Sequence, residues 1–188
     1  TNQELETPDI QFHIQPFSAD KPSDGSHTFS AFTASVLQLR PESTGHLELR
    51  SGDPDDHPTI HPNYLATTTD CDTIVAGIKV ARAICGTEPV KSLITDEYSP
   101  GPSVGINDDE AILEWARNTS TTIYHPTGTC KMGSDRMAVV NDRLQVHGID
   151  GLRVADASIM PVITSGNTNA PAIMIGEKAS DMVLKEAV

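Results

Sequence analysis

The stretch that decides the reading is Tyr124-His125-Pro126-Thr127-Gly128-Thr129-Cys130-Lys131-Met132-Gly133, followed by Leu152-Arg153-Val154-Ala155-Asp156-Ala157-Ser158 and Thr164-Ser165-Gly166-Asn167-Thr168-Asn169-Ala170-Pro171. It sets a histidine in a Pro/Gly turn and then an asparagine-rich turn that feeds a helix. Pro126 pushes His125 towards an extended backbone, and Gly128 allows the chain to turn sharply after it. A histidine held this way can aim its ring at a ligand, and an imidazole with an ordinary pKa of about 6.5 suits general-base work near neutral pH. Taken alone, His-Pro fits a surface or hydrogen-bonded structural histidine better.

The second turn carries its own chemistry. Asn side chains both donate and accept, and a helix start adds unpaired N–H groups and the positive end of the dipole. Asn167, Asn169, Ala170 and Pro171 therefore form a setting for an anion, or for a centre that becomes negative during reaction. Plain capping by Asn169 is the simpler alternative. Pro171 falls in the first turn, where a missing N–H costs nothing. Asp156 and Ala157 follow the short apolar run 152–155, which reads as a strand, and ligands of open α/β sheets gather at strand carboxyl ends.

Working outward, Ile10, Phe12 and Ile14 alternate with polar residues as in a half-buried strand. Residues 29–40 and 46–50 read as two more strands. Residues 21–27, with Pro22 and Gly25, read as a turn, and 51–62 as a Pro/Asp-rich loop. Three strands joined by turns suggest one antiparallel sheet with a wet face. Asp70 is expected to cap a helix over 71–85, closed by Gly86, and Asn107 with Glu110 to open another reaching 118. Residues 88–106, with three prolines, are expected to be irregular. The fold class is α+β.

With 188 residues the chain can bury a real core, and its net charge of −13 argues against nucleic acid and anionic membranes as partners. Cys71, Cys85 and Cys130 are odd in number and lack a CxxC, so a reducing, cytoplasmic setting is expected. The chain opens at Thr1 without a secretory leader, as a piece of something longer would. His57 and His61 have helical metal-pair spacing, but Pro58 and Pro62 oppose a helix, and no metal is expected. Cys130 does not make a dyad with His125. Ser165 lacks the GxSxG elbow, and no GxGxxG or Walker loop occurs anywhere.

Together, His-Pro-x-Gly-Thr-x-x-Met-Gly, the 152–158 run and Ser-Gly-Asn-Thr-Asn-Ala-Pro before a helix closely resemble the C-terminal signature of the glucose-methanol-choline (GMC) flavin oxidoreductases, in their choline-dehydrogenase-like branch. The resemblance is strong over 110–185 and weaker over 8–83. It implies that 1–135 is an antiparallel substrate-domain portion with packed helices. It also implies that 136–188 is a strand-helix segment of a Rossmann-like FAD-binding domain. His125 matches the family's catalytic histidine and Asn167 the position that pairs with it, and Asp156, Ala157, Asn169, Ala170 and Pro171 match residues at the FAD. The implied activity is oxidation of an alcohol, expected to be primary, to an aldehyde, with hydride passing to flavin N5. FAD binding would require an N-terminal portion that the sequence does not contain. A non-catalytic substrate-domain binding module is the alternative. Substrate identity and the choice between dehydrogenase and oxidase stay open, and the few scattered aromatics give no reason to choose choline.

Overall fold

A computed structural model describes residues 1–2, 4–21 and 23–186, so the expected turn at Pro22 lies partly outside the described residues. Four short strands are β1 (Ile10–Gln15), β2 (Thr33–Gln38), β3 (His46–Glu48) and β4 (Thr59–His61), and three helices are α1 (Thr68–Cys85), α2 (Asp109–Thr119) and α3 (Asn169–Glu186). The strands form two separate antiparallel pairs, and the chain divides into two compact units. One comprises residues 1–43 and 65–121, the other 44–64 and 122–188.

In the first unit β1 and β2 run antiparallel from Ile10 opposite Gln38 to Gln15 opposite Thr33. Helix α1 lies against this pair at Gly77, where a Cβ would sit 2.5 Å from Val36 Cγ1, so only glycine permits the approach. Val75 and Ile78 of α1 meet Ile112 and Ala116 of α2, both fully buried, with Trp115 and Leu113 at the margin. Lys79 pairs with Asp109 across the two helices, and Arg82 holds Glu97 through two hydrogen bonds of 2.7 and 2.8 Å.

The expected three-stranded sheet does not form. After β2 the backbone is diverted towards the start of α1, because the N–H groups of Glu42 and Ser43 donate to the Asp70 carboxylate at 2.9 and 2.8 Å. Asp70 therefore does not cap α1. That role falls to Thr67, whose hydroxyl accepts from Asp70 N–H, while Asp70 itself is buried and also receives the Gln38 amide at 2.8 Å. Ser43 joins the same knot, its hydroxyl accepting from Ala66 and Thr67 N–H. Gly86 does close α1, in right-handed backbone geometry, and Asp108 rather than Asn107 caps α2.

In the second unit β3, inside the expected strand 46–50, pairs with β4, which lies in the stretch expected to be loop, with His46 opposite His61 and Glu48 opposite Thr59. Gly45 is the enabling residue: a Cβ there would lie 2.0 Å from His61 O. The rest is a web of turns held by isolated bridges, Met132 with Val140, Val140 with Val146, and Gln145 with Arg153. Val140, Leu144, Ile159, Met160, Ile175 and Ala179 form its core beneath α3. The expected strand at 152–155 is reduced to the single bridge at Arg153. Gly148 and Gly151, both at positive φ, bracket a tight turn that leaves no length for a ladder. Glu186, at the end of α3, is clasped by Arg153 and Arg143, and the hydrogen bond from Arg153 first, then that from Arg143, hold its carboxyl below the usual range.

Asp70 supports a pH-dependent test. Burial would raise its pKa, but hydrogen bonds from Ser43, Glu42 N–H, Ser43 N–H and Gln38 prevail and leave it lowered. A carboxyl with a lowered folded pKa contributes stability above its unfolded value of about 3.9, and loses it as pH falls through the folded value. Asp70→Asn is expected to destabilise the chain by about 1.5–3 kcal/mol at neutral pH, the usual weight of hydrogen bonds to a charged group. In denaturant titrations the difference from the parent should shrink below about pH 4. A pH-independent difference would assign the effect to packing alone.

Candidate active site

The segment after α2 re-enters through Tyr124, a non-glycine residue at a φ of 63°, which turns the chain immediately before His125. Such backbone typically costs on the order of 1–3 kcal/mol and persists only where surroundings hold it. Pro126 follows, and Gly128 then takes a φ of 87°, with Met160 O lying 3.3 Å from where a Cβ would stand. The loop is fastened beyond this point by Cys130 N–H to Ser158 O at 2.9 Å and Met132 N–H to Ile159 O at 2.7 Å. His125 is thus presented from a loop whose base is anchored to the core.

Both ring nitrogens are engaged by residues more than forty positions away. Asn167 Nδ2 lies 2.7 Å from His125 Nε2, and Thr168 Oγ1 lies 2.9 Å from Nδ1. With the Asn167 amide N–H donating to Nε2, the lone pair lies there and the ring proton on Nδ1, and Nδ1–H donates to the Thr168 hydroxyl; with the amide turned over, Nε2–H would donate to the Asn167 oxygen instead. The Thr168 N–H also donates towards Nδ1, at 3.4 Å, a long contact that by itself favours a lone pair on that nitrogen. With the Asn167 amide donating, the basic nitrogen is Nε2, on the side of the exposed Asn167.

Thr168 is the residue that sequence reasoning passed over. It is only 7% exposed and occupies the position just before α3, where its carbonyl accepts from Ala172 N–H at 3.0 Å. A hydroxyl residue directly before Asn-Ala-Pro was the available signal, but capping was assigned to Asn169, which is instead the first helical residue. Asn169 and Ala170 are exposed and Pro171 half-buried in the first turn of α3, adjoining Asn167 in sequence. The first-turn N–H groups have no intrahelical acceptor, so this end of α3 suits a negative centre.

Asp156 and Ala157 lie on the neighbouring segment, which shares backbone bonds with the His125 loop through Ser158 and Ile159. Asp156 caps a single 3-10 turn at Ala157–Ile159, accepting from Ser158 N–H at 2.7 Å. The Ser158 hydroxyl first, and then its N–H, hold the carboxyl below its ordinary pKa. Ala157 is half-buried and packs on the core cluster. Cys130 is a free thiol whose N–H serves the loop anchor.

The C-terminal family model of the GMC oxidoreductases matches residues 41–176, most of the chain. The chain belongs to the GMC oxidoreductase family. It is 41% identical over 183 residues to an alcohol dehydrogenase (acceptor) of Pseudomonas putida, covering 97% of this chain and 33% of that protein. It is equally 41% identical over 183 residues to an oxygen-dependent choline dehydrogenase of Cronobacter sakazakii, covering 97% of this chain and 32% of that one. Among solved structures, a formate oxidase of Aspergillus oryzae superposes with a TM-score of 0.84 at 30% identity, over 97% of this chain and 32% of that one. A fungal aryl-alcohol oxidase does so with 0.76 at 30% identity, over 95% and 28%. The chain spans about one third of the length of the curated relatives it matches. No helix of the described residues is long and apolar enough to cross a membrane.

The clasp on His125 leads to a stability test. Thr168→Val keeps the shape and removes the oxygen, which leaves Nδ1–H without its acceptor and is expected to cost about 1–3 kcal/mol in denaturant unfolding. Asn167→Ala, at an exposed position, is expected to cost less than about 1 kcal/mol. Equal costs for the two would show that Nδ1–H does not depend on Thr168.

Proposed function

We propose that this chain is the C-terminal part of an FAD-dependent alcohol oxidoreductase that converts a primary alcohol to an aldehyde. His125 and Asn167 serve as its catalytic pair. The observation that carries the reading is the 2.7 Å contact between Asn167 Nδ2 and His125 Nε2. In this arrangement we read Nε2 as the ring's proton acceptor beside an amide donor.

In this reading the alcohol displaces the Asn167 N–H from the Nε2 lone pair, and Nε2 then takes the hydroxyl proton. The Asn167 amide N–H donates to the substrate oxygen as negative charge gathers on it, a stabilisation that is largest in the transition state. Thr168 positions the ring and keeps its proton on Nδ1. FAD, when bound, supplies the acceptor for the hydride leaving the alcohol carbon. Asn169 and Ala170 fit that group because their helix start is exposed and offers N–H groups to a centre that gains negative charge, and Pro171 sets the first turn behind them. Asp156 and Ala157 complete the proposed cofactor contacts. We assign residues 136–188 to the cofactor-binding domain and 1–135 to the substrate side. Stable FAD binding is expected to need the N-terminal portion, since the sequence holds no glycine-rich phosphate loop. The names of relatives, an alcohol dehydrogenase and a choline dehydrogenase, support an alcohol as substrate class.

The test is stopped-flow flavin reduction in the full-length flavoprotein carrying His125→Ala. The rate at saturating alcohol is expected to fall by about two to four orders of magnitude, the usual contribution of a positioned base. An unchanged rate would remove His125 from the mechanism.

A further inference from the structure

The β3–β4 pair gathers three metal-binding side chains that no part of the flavin reading uses. His46 and His61 are direct cross-strand partners, and Glu48 stands two residues from His46 on the same strand. The period of two puts all three on one face of the pair, with Leu47 and Ile60 on the other. The two imidazoles stack with centroids 4.5 Å apart and planes 20° apart. Each turns its Nε2 towards the same carboxylate: His46 Nε2 is 3.3 Å from Glu48 Oε1, and His61 Nε2 is 4.0 Å from Oε2. One ligand atom from each residue falls within a span of 4.8 Å.

We infer that His46, Glu48 and His61 form a binding site for a divalent first-row cation of the zinc and copper class. Two imidazoles and one carboxylate are a donor set that suits such ions. A tetrahedral ion with bonds of about 2.0–2.1 Å sets its donors roughly 3.3 Å apart. The separation of 3.3 Å between His46 Nε2 and Glu48 Oε1 already meets that, and His61, 4.0 Å from the other carboxylate oxygen, must swing inwards to close the 4.8 Å span. All three residues are exposed, so the ion can enter from solvent and keep water in its open position. The geometry beneath them is constrained. Gly45 allows close approach of the backbone at His61 and Pro62, and Asn63 Nδ2 ties the exit of β4 to Thr44 O at 3.0 Å. The connecting loop contributes Asp53, Asp55 and Asp56, and the chain's net charge of −13 favours cations near its surface. The bound ion would clip β3 to β4.

The probe is Zn²⁺ alone, titrated calorimetrically into the full 188-residue chain, with histidine ring resonances followed by NMR in parallel. One ion is expected per chain, with the His46 and His61 ring signals shifting together and those of His125 and His57 unmoved. His61→Ala and Glu48→Gln are each expected to weaken binding at least tenfold, since loss of even an outer partner of a metal site costs about 10–100-fold. His57→Ala should leave binding intact. The NMR readout on the unsubstituted chain holds even if a variant folds poorly. Absence of saturable binding would overturn the inference, as would binding that shifts other histidines or survives His61→Ala.

Discussion

The hold of Thr168 and Asn167 on the His125 ring is the contact around which the second compact unit is organised. It joins a loop to the start of α3 across 43 and 42 residues of sequence. Neither end could position the ring alone. The loop supplies a left-handed Tyr124 and a glycine turn, and the helix start supplies a buried hydroxyl and an exposed amide. With Asn167 as the donor at one nitrogen, Thr168 is the acceptor at the other. A neutral imidazole becomes a base with a defined direction only when its other nitrogen has a donor's role to play. The core under α3, from Val140 to Ala179, keeps the helix start where this exchange is possible.

A comparable division of labour holds the first unit. Asp70 is a buried carboxylate that stays ionised because four donors converge on it. That convergence also decides topology, since it draws residues 42 and 43 to the helix start and leaves β2 with β1 as its ladder partner. Burial of an unpaired charge would be far too costly to serve this purpose, whereas a fully bonded one fixes a single chain path.

Local signals exposed the helices and the two turns of the candidate site. The apolar stripes of α1 and α2, Gly86 after α1, and Pro171 inside the first turn of α3 are all effects of neighbouring residues on one another. His125 and Asn167 stood out through a motif whose order along the chain is itself distinctive. What stayed hidden depended on pairing between distant residues. Strand β4 sits among Pro and Asp residues and exists because Gly45 lets another strand approach. Thr168 reads as any hydroxyl before a helix until the ring of His125 is placed against it. His61 reads as half of a failed helical pair with His57, and only the cross-strand register reveals His46 as its neighbour. Cap positions slipped by one or a few residues, because Thr67 and Asp70, or Asn107 and Asp108, are chemically equivalent candidates until backbone geometry chooses.

The central claim is that the fold fixes His125 with its proton on Nδ1 and its lone pair on Nε2. Two-bond proton–nitrogen correlation spectra of the histidine rings in the 188-residue chain, at about pH 8 and so above the ordinary imidazole range, read this directly. The expected result is a protonated, pyrrole-type Nδ1 and a pyridine-type Nε2 for His125. A proton on Nε2, or an average like that of free imidazole, would contradict the account.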